Sequence, residues 1–105
     1  MAVVQLSQWR INPGRGQEFF QNVAKAKAIH ERLGASVRVY QSTLARPNAN
    51  TVSYVQEFAD ATAHGAFTDK LNADAEWQAF VQGVLGGADP SGALLSNSLA
   101  TEVAV

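Results

Sequence analysis

Apolar residues along this 105-residue chain recur at a spacing of two, then 3.6, then two in a pair of segments, then 3.6, then two again. That succession reads strand, helix, strand, strand, helix, strand. It constrains the fold more than any single residue does. Two strands joined by a short turn pair antiparallel, and each helix must bring the chain back to the same sheet. The expected product is one α+β domain over residues 1–105, with a four-stranded antiparallel sheet and its helices on one face.

The segments follow from their residues. Val3 to Ile11 reads as the first strand, with Val4 and Leu6 on one side and Val3, Trp9 and Ile11 on the other. Asn12-Pro13-Gly14 ends it. Gln17 to Leu33 carries Phe19, Val23, Ala26, His30 and Leu33 at helical steps, and Gly34 suits the position just past a helix. Ser36 to Leu44 is the second strand, with Val37 and Val39 opposed to Arg38, Tyr40 and Leu44. A turn over 46–50 leads to the third strand, Thr51 to Ala59. Asp60 or Thr62 caps the next helix, Ala61 to Leu71, and Asp74 caps a second helical segment with Trp77, Phe80, Val81, Val84 and Leu85 on one face. Gly86 and Gly87 weaken its end, 88–92 reads as loop, and Leu94 to Val105 is the last strand. Leu95, Asn97, Leu99, Thr101, Val103 and Val105 share one of its faces. This is the element order of a ferredoxin-like sandwich.

Composition removes several functions. Only 16% of residues are charged, a thin cover for a small domain, so part of the surface is expected to be an interface between two copies of the chain. The net charge of -1 and the scattered Lys and Arg argue against nucleic acid as a partner. No apolar run reaches the roughly 18 residues that span a bilayer, so no membrane partner is expected. The absence of cysteine removes thiol catalysis and thiolate metal sites. With no signal-peptide pattern at Met1, a cytoplasmic setting is expected. Gly14-Arg15-Gly16 lacks the Lys and Ser/Thr of a phosphate loop, and Gly83 to Gly87 follows a helical pattern rather than a strand. No cofactor and no metal is expected.

The run Tyr54-Val55-Gln56-Glu57-Phe58-Ala59-Asp60, followed by Ala63-His64-Gly65-Ala66-Phe67 and by Glu76-Trp77-Gln78-Ala79-Phe80, resembles the dimeric α/β-barrel superfamily. That group includes antibiotic-biosynthesis monooxygenase-like and NIPSNAP-like domains. The resemblance covers nearly the whole chain. It implies a homodimer through sheet faces, closed into a barrel, with a pocket between sheet and helices in each subunit. It also implies a choice among cofactor-free oxygenation, haem degradation, aldoxime dehydration and no activity at all. Monooxygenase-like members often carry His four residues beyond the helix Ala. Counted from Ala63, that position is Phe67, and His64 lies on another side of the helix. The haem-degrading group has an Asn near the start of strand one, where this chain has Gln5, Ser7 and Gln8.

His30 is the residue most open to chemistry. It sits inside the apolar stripe of the first helix, where a buried imidazole needs partners for both ring nitrogens. A satisfied core histidine, a ligand contact and a general base all fit that position. Tyr40, Tyr54 and Gln56 are the polar groups expected beside it, and Tyr54 and Gln56 share a strand face in any register. Trp9, Phe67, Trp77 and Phe80 are candidates for the apolar wall, or for core packing alone. Arg10 and Arg38 could neutralise an anionic group or stand exposed, and Glu57 is expected to pair with Arg38. His64 reads as a surface or capping-region histidine. The reading that fits best is a domain that binds an apolar, fatty-acid-like or aromatic molecule. A cofactor-free monooxygenase or isomerase and a purely structural dimer are the alternatives.

Overall fold

A computed structural model describes residues 1–43, 50–84 and 90–105. Its elements are β1 (Val3–Ile11), α1 (Gly16–Arg32), β2 (Ser36–Gln41), β3 (Thr51–Phe58), α2 (Ala61–Ala73), α3 (Ala75–Val84) and β4 (Gly92–Thr101). The strands form one antiparallel sheet in the order β2-β3-β1-β4. The ferredoxin-like sandwich expected from the periodicity is therefore present. Strand two stops at Gln41, before Leu44; Leu44, most of the expected turn, and Leu85, Gly86 and Gly87 lie outside the described residues. Among the described residues, no helix is long and apolar enough to cross a membrane.

The barrel is corrected. β2 and β4 are the two edges of an open sheet, with no ladder between them. Four strands with helices laid across one face do not supply the circumference that closure requires. The last strand is shorter than expected: β4 ends at Thr101 rather than Val105, and Val103 and Val105 are exposed beyond it.

Local chemistry sets the breaks between elements. Gly34 adopts φ 111°, which favours glycine, and lets the Ala35 amide return to the His30 carbonyl at 3.0 Å. Asp60 caps α2 by accepting from the Ala63 amide at 2.8 Å, so Thr62 is not the cap. Asp74 is extended (ψ 118°), which separates α2 from α3, and its carboxylate accepts from the Trp77 amide at 2.9 Å. Arg32, at the end of α1, donates to both oxygens of Asp74 at 2.9 Å and to Glu76 at 3.0 Å. The Trp77 amide and then Arg32 hold the Asp74 carboxyl below its usual range.

Ladder register assigns the faces. Val3, Gln5, Ser7 and Trp9 of β1 lie beside Phe58, Gln56, Tyr54 and Val52 of β3 on the side covered by the helices. Val37 and Val39 share that side, and Tyr40 lies on the open face with Arg38. Glu57 stands opposite Ser36, with Arg38 one diagonal step away. In β4 a bulge between Gln8 and Trp9 of the partner strand leaves Leu95 unpaired. Leu94, rather than Leu95, therefore shares a face with Asn97 and Leu99. At the start of β4, a Cβ on Gly92 would sit 2.6 Å from the Phe19 ring and 3.0 Å from the Arg10 carbonyl, so only glycine lets Phe19 lie against that strand.

The two halves of the sandwich are filled unequally. Ala35, Val37, Tyr54, Phe58 and Phe67 form a packed core over β2 and β3, joined by Val23, Ala26 and Leu33 of α1. Over β1 and β4 the helices leave space, and most of β4 is exposed.

Candidate functional site

That space is a cavity of about 400 Å³ between the sheet and all three helices. Seven of the eight residues singled out in the sequence line it: His30, Tyr54, Gln56, Trp9, Phe67, Trp77 and Phe80. Tyr40 does not. It is 53% exposed on the opposite face, because strand parity opposes it to Val39. Arg10 and Arg38 are exposed on that same open face.

His30 is 4% exposed. Its Nδ1 lies 2.5 Å from the Tyr54 hydroxyl, and its ring is surrounded by Tyr54, Phe67 and Trp77 at centroid distances of 5.5, 5.7 and 4.5 Å. Burial among these rings disfavours the imidazolium and lowers the His30 pKa to about 4. Burial, and then the negative charge of Glu31, raises the pKa of Tyr54. Both members of the pair are neutral at physiological pH. With its proton on Nε2, the imidazole accepts from the Tyr54 hydroxyl at Nδ1.

A second polar group closes the far wall. Gln5 faces Gln56 directly across the β1–β3 ladder. His64 Nε2 lies 3.2 Å from Gln5 Oε1, and Gln5 Nε2 lies 3.5 Å from Asn97 Oδ1. Gln56 is 7% exposed, and its Oε1 has no hydrogen-bond partner among the described residues. A buried carbonyl oxygen left without a donor is costly.

Sequence reasoning missed Gln5, Asn97 and His64. The signal for Gln5 was present: it alternates with Val4 and Leu6 and so shares a side with Val3 and Trp9. His64 is corrected from a surface histidine to a half-buried one that meets Phe58 edge-on at 4.9 Å. Its position one turn into α2 tips it over β3 and β1 rather than into solvent.

The molecule is thus an open ferredoxin-like α+β sandwich with an aromatic cavity lined in part by buried polar residues, among them His30, Gln56 and Ser91. No protein-family model matches the sequence, and no functionally curated protein matches it. Solved structures do match. An uncharacterised NIPSNAP-domain protein from Burkholderia xenovorans superposes with a TM-score of 0.73 at 20% identity, over 97% of this chain and 95% of that one. A NIPSNAP family protein from Agrobacterium tumefaciens gives 0.71 at 20% identity, over 95% and 90%. A Bordetella bronchiseptica protein, provisionally assigned as an antibiotic biosynthesis monooxygenase, gives 0.65 at 19% identity, over 98% of both chains. At these identities the likeness establishes the shared fold.

Proposed function

We propose that this domain binds a small, largely apolar molecule with one polar end in the cavity between helices and sheet. The cavity carries this reading. It is walled by Trp9, Phe19, Phe67, Trp77 and Phe80, with the buried His30–Tyr54 pair set among them, the arrangement of a ligand pocket rather than of a packed interior. The names of the similar structures are compatible with it.

The uncharged fluorophore N-phenyl-1-naphthylamine tests the proposal. Trp9 and Trp77 both line the space, so a probe seated there is expected to quench their emission and to brighten in turn. Ala26 faces the same space from α1, and Ala26→Phe is expected to weaken the probe about tenfold or more by filling it. A probe that leaves tryptophan emission unchanged would rule the pocket out as a binding site.

The chemistry of His30 favours binding over catalysis. A general base works best with a pKa near the working pH. An imidazole whose pKa lies at about 4 has little affinity for a substrate proton at pH 7. Orientation of a bound group is the better use of the His30–Tyr54 pair.

A homodimer through the open sheet face is also proposed. Val4, Leu6 and Val55 lie there half-buried in the single chain, and Tyr40 stands exposed on the same face. Sedimentation velocity is expected to give a dimer, and Tyr40→Lys to shift it toward monomer. A wild-type chain that sediments as a monomer at micromolar concentration would remove the proposal.

A further inference from the structure

We propose that His30 selects the polar end of the ligand: its Nε2–H donates a hydrogen bond to a neutral carbonyl oxygen, so that the cavity takes an apolar ketone, aldehyde or amide. This rests on the binding reading above and specifies the head group. Three observations carry it.

The first is the hydrogen-bond arithmetic of the His30–Tyr54 pair. The Tyr54 hydroxyl has one partner among the described residues, His30 Nδ1 at 2.5 Å. If Nδ1 held the imidazole proton, the hydroxyl proton would find no acceptor and Nε2 would be a bare acceptor, which leaves two polar groups unpaired. With the hydroxyl donating to Nδ1, only the Nε2–H is left over. The second is access. Among the described residues, Gln56 Oε1 is the one side-chain nitrogen or oxygen that is both sealed and without a partner. His30 Nε2 also lacks a partner, so the small surface that His30 keeps includes this atom. His30 lines the cavity, as do the three rings around it, so that surface opens on the cavity. A donor therefore stands at the cavity wall without an acceptor. The third is charge. The described residues that line the cavity include no Lys, Arg, Asp or Glu, and burial keeps the His30 ring neutral. A carboxylate brought there would lose its water and find no fixed positive charge, a heavily unfavourable exchange. A carbonyl accepts the same hydrogen bond without carrying that charge. The expectation of a fatty-acid-like ligand is thereby narrowed to uncharged carbonyl compounds.

The experiment adds 2-acetylnaphthalene or its carbon isostere 2-isopropenylnaphthalene to the full chain carrying isotope-labelled histidine. Nuclear magnetic resonance at neutral pH reads which ring nitrogen holds the proton, and proximity to the Trp77 ring tells His30 from His64. Free His30 is expected to be protonated at Nε2. The ketone is expected to move the Nε2 proton downfield, as a new hydrogen bond does, and the alkene to leave it in place. Competition against N-phenyl-1-naphthylamine gives the affinities. His30→Phe is expected to weaken the ketone about fivefold more than the alkene, the worth of one hydrogen bond, and 2-naphthoate is expected to compete weakest against the wild type. A proton on Nδ1, or an Nε2 resonance that answers both ligands alike, would overturn the donor assignment. A carboxylate that competes best would overturn the preference for a neutral head group. In each case binding itself stands. If no naphthalene binds and N-phenyl-1-naphthylamine also fails, the binding reading falls and the head-group inference falls with it. The wild-type spectra do not depend on whether His30→Phe folds.

Discussion

Phe67→Ala is expected to cost about 3–5 kcal/mol of stability and to lower the midpoint of thermal unfolding by roughly 15 °C or more. Phe67 is 3% exposed and is the buried residue of α2, while α3 has none. Its ring meets Phe58 of β3 at 4.9 Å and His30 of α1 at 5.7 Å, so one side chain ties both helices' faces to the sheet. Truncation would remove the contacts and leave a void beside a cavity that is already present, which gives the neighbours little reason to collapse inward. Phe80 is the useful comparison: it lies half-buried against Trp77, and its truncation is expected to cost about 1 kcal/mol. Thermal unfolding followed by circular dichroism separates the two. Equal, small losses would mean that the helices are not anchored at Phe67.

Stability is expected to fall with acidification by about 2 kcal/mol between pH 7.5 and pH 5, through His30 alone. The sign follows from proton binding. In the unfolded chain His30 titrates at its ordinary value near 6.5, and in the native fold at about 4. Between those values the unfolded state holds the proton and the native state does not. Stability is complete above the unfolded value and drains away as the pH falls toward 4. Urea unfolding at both pH values gives the slope, and His30→Phe is expected to flatten it. An unaltered slope in His30→Phe would show that the imidazole is not held neutral.

Much of this site was legible in the chain because period two and period 3.6 report faces. Tyr54 and Gln56 had to share a side of β3, and His30 had to lie in the apolar stripe of α1; packing the two elements brings them into one cavity. What stayed hidden depends on relations between elements. Alternation opposes Tyr40 to Val39 but does not say which side the helices cover. The bulge at Leu95 reverses parity halfway along β4, and no local propensity marks it, since both its neighbours are apolar or small. Sheet closure is a property of strand number and edge pairing, and an apolar tail such as Val103 to Val105 signals neither. The partnerless state of Gln56 Oε1 appears only when the side chains around it are in place.

The unequal filling of the sandwich separates two properties that small domains usually entangle. Packing over β2 and β3 carries the stability, so substitutions there are filtered by whether the chain folds. Over β1 and β4, Gln5, Ser7, Leu94 and Asn97 touch the cavity while remaining partly or largely exposed. Leu94 and Asn97 lie on the edge strand, with β1 between them and β3, and sites so separated from the packed core contribute almost additively. A lineage carrying this fold can therefore change what the pocket accepts, one strand residue at a time, without approaching the threshold at which the fold itself is lost.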